Sequence, residues 1–222
     1  MVTTVELGIP GTDIRPGDHV CAFYRGSEER DGLLLPALAT GLRAGDKCLC
    51  IVDSTPAEAL VESLSRRATT DVRDAITRGQ LELRTSEEVY LRGGRFSADQ
   101  MFQLLDDFFA RALALEGYPL VRSAGEMIWA AQRPPGVEEL FYYEAMLNLV
   151  FPFYRGVGIC LYDLDHFSSD IVLEVLETHS KVLIGGMVLE NPYFLAPDAA
   201  EFREKWDLPQ SMYDRYWSAP DG

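Results

Sequence analysis

Nine residues of this chain could hold a ligand: His19, Cys21, Tyr24, Glu126, Trp129, Glu144, Asn148, Tyr162 and His179. They offer imidazole, thiol, carboxylate, amide and aromatic groups, but their order matches no Ser/His/Asp or Cys/His nucleophile signature. Acyl-transfer catalysis therefore has no positive support. Glu126 closes an apolar segment, so it could accept a hydrogen bond from a ligand or pair with Arg122 or Arg133. Trp129 offers a flat apolar surface suited either to lining a pocket or to a core. Glu144 and Asn148 are four residues apart and project from one helix face. His179 could titrate near neutral pH, and a helix end before it would favour its protonated form.

The stretch Asp18 to Arg30 reads as a buried strand running into a helix, where a nucleotide-binding α/β protein carries its phosphate loop. That loop needs glycines for converging N–H groups, a lysine for the terminal phosphates and a hydroxyl for magnesium. Here there is one glycine, no lysine, and the acids Glu28 and Glu29. Ser27, Glu28 and Glu29 are expected to satisfy the helix terminus themselves, with Ser27 as its cap. ATP is disfavoured there, although Arg25 leaves an anion role open.

Two groups of residues invite a metal reading. Asp163, Asp165 and His166 follow a strand end, and turn formation accounts for them better than a metal site does. The cysteines Cys21, Cys48, Cys50 and Cys160 all fall in strand-like segments without C-x-x-C spacing, so they read as buried thiols acting as small hydrophobes. Cys21, Cys160 and His179 would converge into a redox or metal sensor if the first and fifth major strands were neighbours. No metal or other cofactor is expected on the leading reading.

Apolar runs place strands at Val20 to Tyr24, Cys48 to Val52, Leu81 to Thr85, Leu120 to Ala130, Val157 to Tyr162 and Val182 to Val188. Helices are expected from Ser27 towards Ala44, from a capping box at Thr55 to Glu58 up to about Arg67, over Asp71 to Arg78, after a second capping box at Ser97 to Gln100, and over Val137 to Leu149 and Ser169 to Thr178. Ser86 to Arg95 reads as a polar lid loop, and Gly185-Gly186 as a bulge or close approach. This alternation predicts an α/β fold of three layers, a mostly parallel sheet with helices on both faces. Ligands of such sheets collect at the carboxyl rim of the strands.

With 222 residues and 47% hydrophobic content the chain suits a single domain over 1–222, with an irregular start (1–16) and a C-terminal extension (194–222) that has one helix expected near Ala199 to Trp206. The formal charge of -15 opposes direct nucleic-acid or anionic-lipid binding. With no signal peptide or spanning segment evident, a cytoplasmic location is expected.

Several short motifs also resemble one family, the MEDS sensory domain of methanogens, methylotrophs and the regulator DcmR. They are His19-Val20-Cys21-x-Phe23-Tyr24, Gly45-Asp46-Lys47-Cys48-Leu49, Gly125-Glu126-Met127-x-Trp129-Ala130, Tyr143-Glu144-Ala145-x-Leu147-Asn148, Cys160-x-Tyr162-Asp163, Thr178-His179, Gly185-Gly186 and Glu190-Asn191-Pro192-Tyr193. Ser180-Lys181 departs from the family's usual proline-apolar pair. The resemblance implies a RecA-like or KaiC-like sheet that has lost its phosphate loop and senses a small molecule, such as a hydrocarbon derivative. It implies output through a partner signalling protein: a kinase, an anti-sigma-type protein or a transcription regulator. A homo-oligomer is compatible with this reading. The alternatives are a degenerate nucleotide binder or weak ATPase, the thiol or metal sensor, and a purely structural interaction module.

Overall fold

The structure is a computed structural model and describes residues 4–11 and 14–197. The helix expected near Ala199 lies outside them. Seven strands form one sheet in the order β3-β2-β4-β5-β1-β6-β7: β1 (His19–Tyr24), β2 (Lys47–Ile51), β3 (Leu81–Arg84), β4 (Val121–Glu126), β5 (Gly156–Asp163), β6 (Lys181–Ile184) and β7 (Met187–Glu190). All neighbours are parallel except the β6–β7 pair. The connections between successive parallel strands contain α1 (Gly26–Ala44), α2 (Ala57–Ser65), α3 (Val72–Thr77), α4 (Ser86–Val89), α5 (Ala98–Ala110), α6 (Ile128–Ala131), α7 (Leu140–Val150) and α8 (Ser169–Thr178).

Burial on both faces explains why the central strands read as unbroken apolar runs. Alternate side chains sort into two cores. Val20, Ala22 and Tyr24 of β1 pack with α1, α2, α3 and the buried Val5, Leu7, Ile9 and Ile14 of the N-terminal segment. Cys21 and Phe23 face the other way, into the core of α4 to α8. The expected three-layer α/β architecture is what the chain adopts.

Four local expectations are corrected. Ser27 does not cap α1; Arg25 is the N-cap residue, and its N–H donates to the Glu29 carboxylate at 2.7 Å. Thr55 does not cap α2, which starts after Pro56 without a side-chain cap, because the Thr55 hydroxyl accepts from Arg30 instead. The Ser86 to Arg95 segment is no loose lid: it opens with α4, held by a Thr85–Glu88 capping box, and its Val89 and Tyr90 are buried. Gly185 and Gly186, at φ of 56° and 74°, form a two-residue hairpin turn between β6 and β7. Two successive positive φ values suit that turn and leave no room for a single continuous strand.

Ser97 does cap α5, and Asp71 caps α3. The expected strand Leu120 to Ala130 ends at Glu126, after which the chain turns into α6.

Candidate functional site

The carboxyl rim is occupied by the protein's own charges. Arg30 projects from the first turns of α1 and is 1% exposed. Its guanidinium donates to Glu126 Oε1 at 2.9 Å, to Thr55 Oγ1 at 2.7 Å, to Asp31 Oδ1 at 2.6 Å and to the Ser54 hydroxyl. Glu126 Oε2 also accepts from the backbone N–H of Asp53 and Ser54, each at 2.9 Å. An ion pair out of water holds only when such extra bonds satisfy its remaining donors and acceptors. Between the ends of β2 and β3 lies an open cleft of about 250 Å³, lined by Val52, Asp53, Pro56, Leu60, Leu83 and Glu88.

Asp163, Asp165 and His166 form a turn. Asp163 accepts from the Asp165 N–H and from the His166 side, and Asp165 pairs with Arg25.

A second polar cluster is sealed beneath α7 and α8, towards the amino ends of β1 and β6. Parallel pairing of β1 with β5 sets Cys21 opposite Cys160 and Phe23 opposite Tyr162. His19 then shares a sheet face with Cys160, one step along. Glu144 descends from α7, and His179 closes α8 as its last cap residue. His19, Glu144 and His179 are fully buried.

Glu144 Oε2 is the centre of this cluster. His19 Nε2 lies 3.0 Å from it, His179 Nε2 3.4 Å and Cys160 Sγ 3.4 Å. The other carboxylate oxygen accepts from the Tyr162 hydroxyl at 2.7 Å. Cys160 Sγ also lies 3.3 Å from His19 Nε2. The imidazoles of His19 and His179 lie 4.1 Å apart between centroids, tilted by 37°.

Burial alone would raise the Glu144 carboxyl, but the two adjacent imidazoles outweigh it and hold the group below the usual carboxylate range. For His19 burial wins: with His179 beside it, it is lowered to about 4 despite Glu144. Burial pushes both Cys21 and Cys160 thiols up, so each is protonated at neutral pH. Among the described residues no lysine or arginine pairs with Glu144.

The tautomer of His179 is fixed by its surroundings. Its Nδ1 lies 2.8 Å from the Val175 carbonyl, which can only accept, so Nδ1 carries the proton. Nε2 faces Glu144 without a hydrogen bond.

The nine residues named from sequence fall into three places. His19, Cys21, Glu144, Asn148, Tyr162 and His179 come together in or around the sealed cluster. Of these, Cys21 donates to the Lys181 carbonyl at its edge, and Asn148 donates to the carbonyls of Glu144, Ala145 and Thr178. Tyr24 and Glu126 lie on the opposite sheet face, at the rim with Arg30. Trp129 stacks between Tyr90 and Phe96 in the core, at 5.1 and 5.0 Å. The cluster is therefore not on the carboxyl rim, where a ligand was expected.

Arg30 went unrecognised in the sequence, although it stands on the apolar stripe of α1 with Leu34 and Leu38, where a solvated arginine does not belong. Beside Cys160 a small space of about 20 Å³ is lined by Tyr90, Leu105, Gly125, Tyr143 and Gly158.

Residues 18–180 match the MEDS family, the methanogen/methylotroph, DcmR sensory domain. The chain belongs to the MEDS family. A MEDS relative, the transcriptional repressor DcmR of Methylorubrum extorquens, is 32% identical over 176 residues, 77% of this chain and 61% of the repressor. The match thus spans about three fifths of that relative's length. Among solved structures, a KaiC-like protein from Pyrococcus horikoshii OT3 superposes with TM-score 0.58 at 12% identity, covering 83% of this chain and 81% of its own. An uncharacterized protein from Pyrococcus horikoshii, in complex with an unknown peptide, gives 0.56 at 16% identity with 78% of each covered. The flagellar accessory protein FlaH from Methanocaldococcus jannaschii gives 0.51 at 9% identity, over 82% of this chain and 81% of its own. This MEDS chain therefore has a KaiC-like, RecA-like fold and the kinship of a regulatory sensor. No helix among the described residues is long and apolar enough to cross a membrane.

Proposed function

We propose that this chain is a cytoplasmic sensor without catalytic activity of its own. A small uncharged molecule of the hydrocarbon-derivative class enters the pocket around Glu144, and the change in packing is passed to a partner signalling protein in transcription control. The observation that carries this reading is the convergence of His19, Glu144, Cys160 and His179 on one sealed position, with donor atoms within 4.8 Å of one another. A catalytic group must meet its substrate; a group sealed from solvent is better suited to reporting occupancy.

Three further observations support it. The Arg30–Glu126 pair fills the rim next to the first turn, where a nucleotide's phosphates would compete with Glu28 and Glu29. The small apolar space beside Cys160 gives a ligand a place to start, yet is far below the roughly 300 Å³ of an ordinary ligand pocket. Binding must therefore open the packing of α5 and α7, so it selects a different arrangement from the resting one. Finally, the site is tied to the sheet edge: Asn191 donates to the carbonyls of Leu176 and His179 at 2.5 and 2.6 Å, linking the His179 turn to the β6–β7 hairpin.

Thermal unfolding of the full chain against a panel of neutral one- to four-carbon hydrocarbon derivatives tests the reading. A ligand at 100 times its Kd contributes about 2.7 kcal/mol, a rise of roughly 5–10 °C for a chain of this size. The rise should vanish in Glu144→Gln and in Cys160→Ala. A panel without effect on the wild type, or a rise that both variants retain, overturns it.

A further inference from the structure

The geometry points to a divalent transition-metal site, best suited to zinc, formed by His19 Nε2, Glu144 Oε2, Cys160 Sγ and His179 Nε2. This deepens the sensor reading and rests on its choice of pocket.

The first argument is spacing. Bonds of about 2.0–2.3 Å to a tetrahedral zinc put the ligand atoms roughly 3.3–3.8 Å apart. Here Glu144 Oε2 lies 3.0 Å from His19, 3.4 Å from His179 and 3.4 Å from Cys160, with Cys160 3.3 Å from His19. The full set of four donor atoms lies within 4.8 Å, so closing onto an ion takes shifts of up to about 1 Å.

The second argument is an unpartnered ring nitrogen. Nδ1 of His179 donates to the Val175 carbonyl, which leaves the buried Nε2 aimed at the carboxylate, 3.4 Å away and without a hydrogen-bond partner. A cation shared by the two atoms gives that nitrogen a partner.

Charge and orientation agree. A divalent ion with one carboxylate, one thiolate and two neutral imidazoles has no net charge, which is the cheapest state for a buried unit. The Cys160 proton leaves to solvent as the thiol becomes a ligand. Ligating groups need partners that fix them from behind. Val175 holds His179, and Tyr162 holds the free oxygen of Glu144. All four donors come from the protein, as in closed zinc sites, so a small ligand would reach the ion only by displacing one of them. An ion here ties β1, β5, α7 and the α8–β6 turn together.

The test uses the full chain, expressed in zinc-supplemented medium and purified without chelator, with metal content by mass spectrometry. The chelated protein is then titrated with Co²⁺ and read by absorbance. One zinc per chain and one equivalent of Co²⁺ with a thiolate-to-metal charge-transfer band are expected. Cys160→Ser should lose that band, and His179→Gln should lose more than about 100-fold in affinity, since even outer partners such as Tyr162 are worth about 10–100-fold. Circular dichroism checks that each variant is folded; Tyr162→Phe gives a milder probe if His179→Gln is not. No bound metal, or a Co²⁺ spectrum unchanged in Cys160→Ser, overturns the site. If no metal binds while the wild type still responds to a small ligand and Glu144→Gln does not, the metal is wrong and the sensor reading stands. If one Co²⁺ binds but no small ligand has any effect, the metal site stands and that reading falls.

Discussion

Replacing Arg30 by methionine removes the one guanidinium among the described residues that meets Glu126 and leaves the carboxylate fully buried. Glu126 keeps two backbone N–H donors and the Ser54 hydroxyl, so it is not stripped bare. Breaking one side of a buried pair nonetheless costs about 3–5 kcal/mol, because the surviving charge stays out of water. Against a total stability of roughly 5–15 kcal/mol that is a large fraction. At an m-value near 3 kcal/mol/M the urea midpoint should fall by about 1 to 2 M. The double variant Arg30→Met with Glu126→Gln removes both charges together. It should be at least ~2 kcal/mol more stable than the sum of the two single losses, as expected for groups in direct contact. Equilibrium urea unfolding of the wild type, both single variants and the double gives the full cycle. A loss below about 1 kcal/mol for Arg30→Met, or additive single losses, would refute the assignment of this pair as the rim's structural plug.

Tyr162→Phe removes a 2.7 Å bond to the charged Glu144 and should cost about 1.5–3 kcal/mol in urea unfolding, the range for hydrogen bonds to charged groups; no change would mean that Glu144 is held elsewhere. In Gly125→Ala the added carbon would sit 2.1 Å from the Tyr90 hydroxyl, so Tyr90 must move and stability should drop by about 1–3 kcal/mol. An unchanged melting temperature would contradict the tight packing between β4 and Tyr90. Isothermal calorimetry of the wild type with ATP and magnesium should give no binding heat at millimolar ligand, and saturable heat lost in Arg25→Ala would favour the nucleotide reading instead.

Much of the fold was legible because burial on both sheet faces leaves unbroken apolar runs, as in Val20 to Tyr24 and Cys48 to Val52. Ser97 and Asp71 announced their helices through capping chemistry. Ser27 and Thr55 carry the same chemistry but do not cap, because tertiary partners serve those positions: Glu29 takes the Arg25 N–H, and Arg30 takes the Thr55 oxygen. Gly185-Gly186 was ambiguous because a glycine pair marks both bulges and tight hairpins, and only the antiparallel β7 decides between them.

The candidate site was half legible. His19, Glu144 and His179 stand out as polar residues in apolar segments, whereas Cys160 reads first as a buried hydrophobic thiol and only in the alternative as a redox or metal group. Their convergence depends on β5 lying beside β1, which no local pattern encodes. The rim, where the general rule for parallel sheets places ligands, is closed by a residue whose position in the α1 stripe was the one available signal.

The central claim is that the sealed position between His19, Glu144, Cys160 and His179 is where this sensor holds its ligand. A crystal structure of the full chain, purified without chelator and measured at the zinc absorption edge, tests it most directly. The account predicts density between the two Nε2 atoms, Cys160 Sγ and Glu144 Oε2, with an anomalous peak if the occupant is zinc. Side chains closed directly on one another there, with a bound molecule instead in the rim cleft beside Asp53 and Leu60, would contradict it.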